Sequence, residues 1–133
     1  MVLDTSAIFA AIAGEVDSTD YRLAIKNASL RLISAITLLE TRIVLFSRIG
    51  GGAIDTLDQL IERAQIGVTP FDDEQIAIAF DACKRYGKGQ GHPAQLNIVD
   101  CAAYALARSR DLPLLFKGSD FAHTDVKRAL LSS

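Results

Sequence analysis

Apolar residues along this chain follow two patterns: short continuous runs, and longer stretches in which they recur every three or four positions. Short apolar runs are typical of buried β-strands, and the longer repeat is typical of amphipathic helices. The short runs predict four strands, at residues 1–3, 30–34, 67–69 and 112–116. The first and the last of these strands are followed closely by an aspartate, Asp4 and Asp120 respectively.

Helical patterns fill the stretches between the predicted strands, and polar capping residues mark where several of them begin. We expect helices at residues 6–13, 18–28, 36–48, 53–64, 73–86 and 97–108, and a terminal helix from about Thr124. Three consecutive glycines, Gly50, Gly51 and Gly52, are expected to end one helix and to form a flexible connection to the next.

The connections between the predicted strands are long and helical rather than tight turns. Such crossovers join parallel strands and place helices on the faces of the sheet. The sequence therefore predicts an α/β fold, a three-layer α/β/α arrangement around a mostly parallel sheet of four to five strands. With 133 residues, of which 50% are hydrophobic, the chain has the size of one domain spanning residues 1–133.

Acidic and basic residues are interspersed, with 16 of the former, 14 of the latter and a formal net charge of −2. This balance neither favours nor excludes a nucleic-acid partner. The N-terminus has no basic leader, and no stretch approaches the ~18 uncharged apolar residues of a membrane span. We therefore expect a cytoplasmic protein that does not associate with membranes.

Four acidic residues, Asp4, Glu40, Asp100 and Asp120, fall where a parallel α/β fold would bring them to the carboxyl edge of the sheet. Two carboxylates at ~4 Å repel by roughly 4 kcal/mol at an effective dielectric of ~20, so such a cluster requires protons or cations. Oxygen ligands without a matched histidine or cysteine set favour Mg²⁺ or Mn²⁺ over Zn²⁺.

That chemistry suits phosphodiester hydrolysis by metal-activated water. We expect Asp4 and Asp100 to be the primary metal ligands, Asp120 to bind the metal directly or through water, and Glu40 to bind the metal or to orient the attacking water. Taken singly, an acid near a helix start is more often a cap or a partner of the helix dipole than a metal ligand.

Hydroxyl and basic side chains near these acids complete the candidate site. Thr5 and Ser6 follow Asp4 directly and could support the metal ligands. Four basic side chains are candidates for contacts with an RNA backbone, although each could equally be a solvated surface charge. They are Lys84, Arg85, Lys88 and Lys117.

Other reactive residues favour structural roles. Cys83 and Cys101 lie in helical patterns without metal-ligand spacing, and we expect buried free thiols. His92 and His123 are predicted in loops, where hydrogen bonding to the backbone is the default role. The glycine-rich loop at residues 87–93 follows a helix rather than a strand, so a phosphate-binding P-loop is not expected.

Several motifs, in order along essentially the whole chain, resemble those of the PIN-domain ribonucleases, specifically the VapC toxins of bacterial toxin–antitoxin pairs. The matching residues are Val2-Leu3-Asp4-Thr5-Ser6-Ala7, Ser34-Ala35 to Glu40, Tyr86-Gly87-Lys88-Gly89 with His92-Pro93-Ala94, Leu96-Asn97 with Asp100-Cys101, Tyr104-Ala105-Leu106-Ala107, and Leu114-Leu115-Phe116-Lys117-Gly118-Ser119-Asp120-Phe121 with Thr124-Asp125.

This resemblance implies a Mg²⁺- or Mn²⁺-dependent endoribonuclease whose site acids are Asp4, Glu40, Asp100 and Asp120. It also implies a homodimer that is inhibited by a cognate VapB-type antitoxin. Asp125 lies near the site in the family motif, but its position at the start of the predicted terminal helix makes it equally a candidate N-cap.

Two alternatives compete with the nuclease. A noncatalytic module could keep the PIN fold and bind only RNA or a protein, but that reading would be favoured by loss of a site acid, and all four are present. A phosphotransferase could use Asp4 as a covalent nucleophile, but Ser6 stands where such enzymes carry their second aspartate, so the general acid is absent.

Overall fold

A computed structural model of the protein describes residues 1–130, which form six α-helices, four β-strands and a short 3-10 helix. The elements in chain order are β1 (Val2–Leu3), α1 (Thr5–Ile12), α2 (Ser18–Asn27), β2 (Leu32–Ser34), α3 (Ala35–Arg48), α4 (Gly51–Arg63), β3 (Gly67–Thr69), α5 (Asp73–Tyr86), α6 (Ile98–Arg110), β4 (Leu114–Leu115) and the 3-10 helix (Phe121–His123).

The four strands form one sheet in the order β3-β2-β1-β4, and all three neighbouring pairs are parallel. Val2 lies opposite Leu32 on one side and opposite Leu114 on the other. Every connection between strands contains at least one helix, which is what parallel pairing requires. The predicted α/β fold and its four strand positions are confirmed.

Alternation along the central strands divides the core into two. Val2 and Leu114 face one side of the sheet, where they pack with α5 and α6, whereas Leu3 and Leu115 face the other side and pack with α1, α2, α3 and α4. Successive strand residues point to opposite faces, so this segregation gives the predicted three layers. The parallel pairing of β1 with β2 brings the carboxyl ends of both strands to the same edge of the sheet.

The expectation for the three glycines is wrong in part. Gly50 has φ +121° and separates the two helices, but Gly51 and Gly52 already belong to α4 rather than to a flexible connection. Glycine tolerates the positive φ that reverses the chain at Gly50. Burial of Ala53 and Leu57 then holds the first turn of α4 in helical form.

The expected terminal helix from about Thr124 is wrong for residues 124–130, and the last three residues of that expectation lie outside the described part of the chain. Leu114 donates its amide to the Lys127 carbonyl at 2.8 Å, and Ala129 donates to the Leu114 carbonyl at 3.0 Å. The segment therefore extends alongside β4. An edge strand exposes unpaired backbone groups, and pairing with the tail satisfies them.

Within residues 1–130, no helix is long and apolar enough to cross a membrane.

Candidate active site

Asp4 stands where β1 ends and caps the amino terminus of α1. Its side chain is buried, and Oδ2 accepts hydrogen bonds from the Ser6 amide at 3.1 Å and from the Ser6 hydroxyl at 2.6 Å. The Ser6 oxygen in turn accepts the Lys117 amide at 2.9 Å, which ties the turn to the segment after β4. The second oxygen, Oδ1, is buried without a hydrogen-bond partner among the described residues.

Asp100 belongs to the first turn of α6 and forms a capping box with Asn97. The Asn97 amide donates to Asp100 Oδ2 at 3.0 Å, and the Asp100 amide donates to Asn97 Oδ1 at 2.8 Å. These paired hydrogen bonds satisfy helix-end donors and fix the carboxyl group at the same time. Asp100 is therefore both a cap and an oriented site residue.

A cleft of about 400 Å³ collects three of the four predicted acids. Asp4, Glu40 and Asp100 all line it, from β1, α3 and α6 respectively. Asp120 is exposed, lies just before the 3-10 helix, and is not among the residues lining the cleft. Its charge nevertheless acts on Asp100, so it lies beside the cleft rather than in it.

Burial and crowding favour the protonated forms of the cleft acids. Burial raises the pKa of Asp100 to about 7, and the charges of Asp4, Glu40 and Asp120 add to that increase, against the lowering effect of the hydrogen bond from Asn97. Burial likewise raises the pKa of Asp4, against the hydrogen bonds from Ser6. A cation in the cleft would relieve both penalties, because it favours the charged carboxylates.

The donor set fits a hard divalent cation. Among residues 1–130, no three acidic, histidine or cysteine side chains form a ready-made set of metal ligands. Mg²⁺, however, commonly binds through one or two carboxylates and keeps several waters. Asp4 supplies a buried oxygen without a partner, and Asp100 supplies a second carboxylate in the same cleft. Joint ligation by Asp4, Asp100 and Asp120 stays a prediction.

Comparison with known proteins assigns the chain to a family. The PIN domain family model matches residues 1–127. The chain is 47% identical over 130 residues to Ribonuclease VapC28 of Mycobacterium tuberculosis, which covers 98% of each chain. The chain belongs to the VapC ribonucleases of the PIN-domain family.

Two solved structures share the PIN fold. VapC20 of Mycobacterium tuberculosis, described as a sarcin–ricin loop cleaving toxin, has a TM-score of 0.75 at 20% identity, covering 94% of this chain and 95% of that one. A toxin–antitoxin complex from Klebsiella pneumoniae contains a chain with a TM-score of 0.68 at 17% identity, covering 93% of this chain and 92% of that one. At these identities the likeness shows the fold alone.

The two hydroxyl residues after Asp4 have different roles in this PIN domain. Ser6 contacts Asp4 directly, as described above. Thr5 lines the cleft, but its hydroxyl lies 3.0 Å from that of Thr41 and 3.4 Å from the Thr37 carbonyl, both on α3. The contacts of Thr5 thus join α1 to α3, whereas those of Ser6 orient the acid.

Of the four predicted RNA contacts, only Lys117 lines the cleft. Lys84 and Arg85 lie on α5, each 3.9 Å from Asp81, and neither lines the cleft. Lys88 is exposed in the glycine-rich loop. Lys117 does line the cleft, but its ammonium group is held by Glu15 and Asp17 at 2.8 and 2.9 Å. A role in RNA binding stays a prediction for all four.

Asp125 lies in a cluster with α5 and α6. Tyr104 donates its hydroxyl to Asp125 Oδ1 at 2.5 Å, and Oδ2 lies 3.7 Å from Arg85 and 3.8 Å from Arg108. The capping alternative for Asp125 is wrong, because residues 124–130 contain no helix for it to cap. Its contacts attach the C-terminal segment to the domain, and a role beside the metal stays a prediction.

The remaining reactive side chains have structural environments. Cys83 and Cys101 are free thiols whose sulfurs lie 2.8 Å apart; Cys101 is buried, but Cys83 is only partly so. His92 accepts the Ala94 amide at 3.1 Å, as expected for a loop histidine. His123 ends the 3-10 helix and is not in a loop, which corrects the prediction.

Asn97 and Arg48 are among the cleft residues that the sequence analysis did not single out as candidate site residues. Asn97 is readable in retrospect, because an asparagine three positions before an acid is typical of a capping box. Arg48 lines the cleft from the end of α3, eight positions after Glu40, with its guanidinium carbon 5.4 Å from the centre of the Phe9 ring. Since Phe9 belongs to α1, only the packing of α1 against α3 reveals that pairing.

Proposed function

We propose that the protein is a Mg²⁺- or Mn²⁺-dependent endoribonuclease, the toxin of a VapBC-type toxin–antitoxin pair, and that it hydrolyses RNA phosphodiester bonds at the acidic cleft in the cytoplasm. One observation carries the proposal: Asp4, Glu40 and Asp100 converge on one cleft in which the buried Oδ1 of Asp4 has no partner among residues 1–130. Unneutralised acids in a shared cleft are costly, which is typical of a functional site.

Each residue of the site has its own role in the proposed reaction. Asp4 and Asp100 would hold the metal, while Ser6 and Asn97 keep those two carboxyl groups in place. When bound, a divalent cation lowers the pKa of water and neutralises the phosphate charge. Glu40, half-buried at the wall of the cleft, accepts a hydrogen bond from the attacking water and orients it. Asp120, which lies beside the cleft, would contact the metal through a water molecule.

Membership in the VapC family supports a proposal for the protein partners. We propose a cognate VapB-type antitoxin whose C-terminal segment crosses the cleft and places a basic side chain among the acids, where it takes the place of a cation. We also propose a homodimer. The exposed apolar side chains Leu39, Ile43 and Phe46 follow one another along α3 and provide surface for protein contacts.

The test is cleavage of a varied RNA pool by antitoxin-free protein. Discrete products should form with Mg²⁺ or Mn²⁺, vanish with EDTA and return when Mn²⁺ is restored. An Asp100→Asn preparation purified in parallel guards against contaminating nuclease and should be inactive. Cleavage that survives both EDTA and Asp100→Asn would overturn the proposal.

One observation favours the noncatalytic alternative, namely the lack, among residues 1–130, of three acidic, histidine or cysteine side chains placed together as metal ligands. A binding module would bind RNA equally well with EDTA or Mn²⁺ and would leave every RNA intact. A metal-dependent nuclease should instead show saturable Mn²⁺ binding by calorimetry, and Asp4→Asn should abolish that binding.

A further inference from the structure

The cleft of this chain is acidic, yet its proposed substrate is a polyanion. Four acids line it, Asp4, Glu15, Glu40 and Asp100, together with two cations. One of these cations, Lys117, is already neutralised by Glu15 and Asp17. An RNA phosphate approaching the cleft therefore meets repulsion except where a cation receives it, either the metal held by Asp4 and Asp100 or a basic side chain.

Arg48 is the second cation. No carboxylate within residues 1–130 forms an ion pair with it. Arg42, on the same helix, shows the contrast: its guanidinium group binds Asp58 at 2.8 Å on the neighbouring α4. Both arginines are exposed or nearly so, but only Arg48 lines the cleft.

The aromatic ring of Phe9 supports the side chain of Arg48. Its guanidinium carbon lies 5.4 Å from the centre of the Phe9 ring, a cation–π contact between α3 and α1. Both side chains line the cleft. A guanidinium group held at an aromatic ring keeps its in-plane N–H groups available, and these match two phosphate oxygens in a fork geometry.

Position in the last turn of α3 offers a simpler explanation for Arg48, since a cation there complements the helix dipole. That explanation accounts for the charge but not for its placement against Phe9 at the wall of the acidic cleft. The pairing of an unneutralised arginine with a supporting ring, inside a cleft that must receive a polyanion, indicates a ligand contact.

We propose that Arg48, positioned by Phe9, binds a backbone phosphate of the RNA next to the scissile bond. The inference rests on the proposed ribonuclease function and adds a second positive group, apart from the metal, that receives the RNA backbone. A phosphate contact fixes register without reading sequence. Arg48 therefore strengthens substrate binding, while the acids and the metal carry the chemical step.

Steady-state cleavage of an RNA substrate, with Mn²⁺ present, tests whether Arg48 contributes to substrate binding and not to the chemical step. Arg48→Ala should raise KM by about tenfold or more, the loss expected for a charge-assisted phosphate contact, with kcat within about twofold of wild type. Arg48→Lys should fall in between, because lysine keeps the charge but loses the fork. Phe9→Leu should shift KM in the same direction by less. Arg42→Ala, the matched control on α3, should leave both constants unchanged.

A binding measurement separates this inference from the proposed function. RNA affinity is measured by fluorescence anisotropy in an Asp4→Asn background, with and without Arg48→Ala, over a range of salt concentrations. Loss of one phosphate contact should reduce the slope of log affinity against log salt by about 1. Thermal melts of each variant control for folding.

Three results would overturn the inference. Equal RNA affinity and salt slope for Arg48→Ala and Arg42→Ala would exclude the phosphate contact while leaving the nuclease intact. A fall in kcat without a change in KM would place Arg48 in the chemistry or in structure. Weakened antitoxin binding with unchanged RNA binding would assign the arginine to the protein partner. If wild type cleaves no RNA at all, the proposed function fails, and the anisotropy result still decides the role of Arg48.

Discussion

The hydroxyl group of Ser6 donates a 2.6 Å hydrogen bond to Oδ2 of Asp4, and the Ser6 amide donates to the same oxygen at 3.1 Å. One carboxylate oxygen of Asp4 is thus anchored by its own helix turn, while Oδ1 stays buried without a partner among the described residues. The cap that begins α1 therefore also fixes the orientation of the Asp4 carboxyl group in the cleft. Asp4 therefore both caps α1 and lines the cleft, which is why its position in the sequence fits a helix cap and a site residue equally.

Removing the Ser6 hydroxyl should loosen this arrangement. In Ser6→Ala we expect Mn²⁺ affinity, measured by calorimetry, to fall about 10-fold or more, because groups that orient a metal ligand typically contribute that much. RNA cleavage at subsaturating Mn²⁺ should fall with it. Ser47→Ala, an exposed serine on α3, is the control and should bind Mn²⁺ like wild type. Equal affinity for both variants would show that Ser6 does not position Asp4.

Asn97 links stability to the site through its capping box with Asp100. Asn97→Ala should lower the free energy of unfolding by about 1 kcal/mol, the usual cost of losing an N-cap. Urea denaturation measures this change. Asn27→Ala, at the exposed end of α2, should stay within about 0.5 kcal/mol of wild type. If Asn97→Ala unfolds at the wild-type midpoint, the capping box contributes nothing to stability.

The acidity of the cleft predicts how stability depends on pH without divalent metal. The pKa of Asp100 is raised from 3.8 to about 7 in the folded protein, so between these values the folded state holds a proton that the unfolded state has lost. This contribution to stability is complete below the unfolded pKa and disappears as pH rises toward about 7. The burial-raised pKa of Asp4 acts in the same direction.

Thermal melts in EDTA between about pH 5 and pH 8 should therefore show stability falling as pH rises. Asp100→Asn should flatten the curve, because it removes a titrating group, and Mn²⁺ should raise the melting temperature most at high pH, where the carboxylates are charged. Stability that increases with pH, or an unchanged slope in Asp100→Asn, would contradict the pKa assignment for Asp100.

The two cysteines should differ in reactivity, because burial of Cys101 and its contact with Cys83 raise the pKa of the Cys101 thiol. Only the thiolate reacts readily. Native protein treated with N-ethylmaleimide should gain one adduct by mass spectrometry, at the partly exposed Cys83, and two after denaturation. Cys83→Ser should remove the native adduct, whereas Cys101→Ser should keep it. A native adduct at Cys101 would show that α5 and α6 open readily.

Periodic apolar patterns predicted the strands and most helices, because the core of this domain follows them directly. Val2 and Leu3 illustrate the point, since their alternation sends one to each core. The convergence of Asp4, Glu40 and Asp100 was also predictable, because parallel topology fixes which strand and helix ends share an edge.

What the sequence did not predict depends on contacts between distant elements. The tail after Thr124 pairs with β4 instead of forming a helix, because the edge of the sheet offers backbone partners that no local pattern reveals. Lys117 looks like a free cation in the sequence, but Glu15 and Asp17 neutralise it across the fold. Arg48 gave no local signal, since its partner Phe9 is 39 positions away in the printed numbering.

The central claim is that the acidic cleft hydrolyses RNA, and a matched pair of acid-to-amide substitutions tests it most directly. Single-turnover cleavage of one RNA with Mn²⁺ is compared for wild type, Asp4→Asn and Asp55→Asn, the last being exposed on α4 outside the cleft. We predict a rate loss of at least about 100-fold for Asp4→Asn and none for Asp55→Asn. Equal rates for Asp4→Asn and wild type, in preparations of equal purity, would contradict the account.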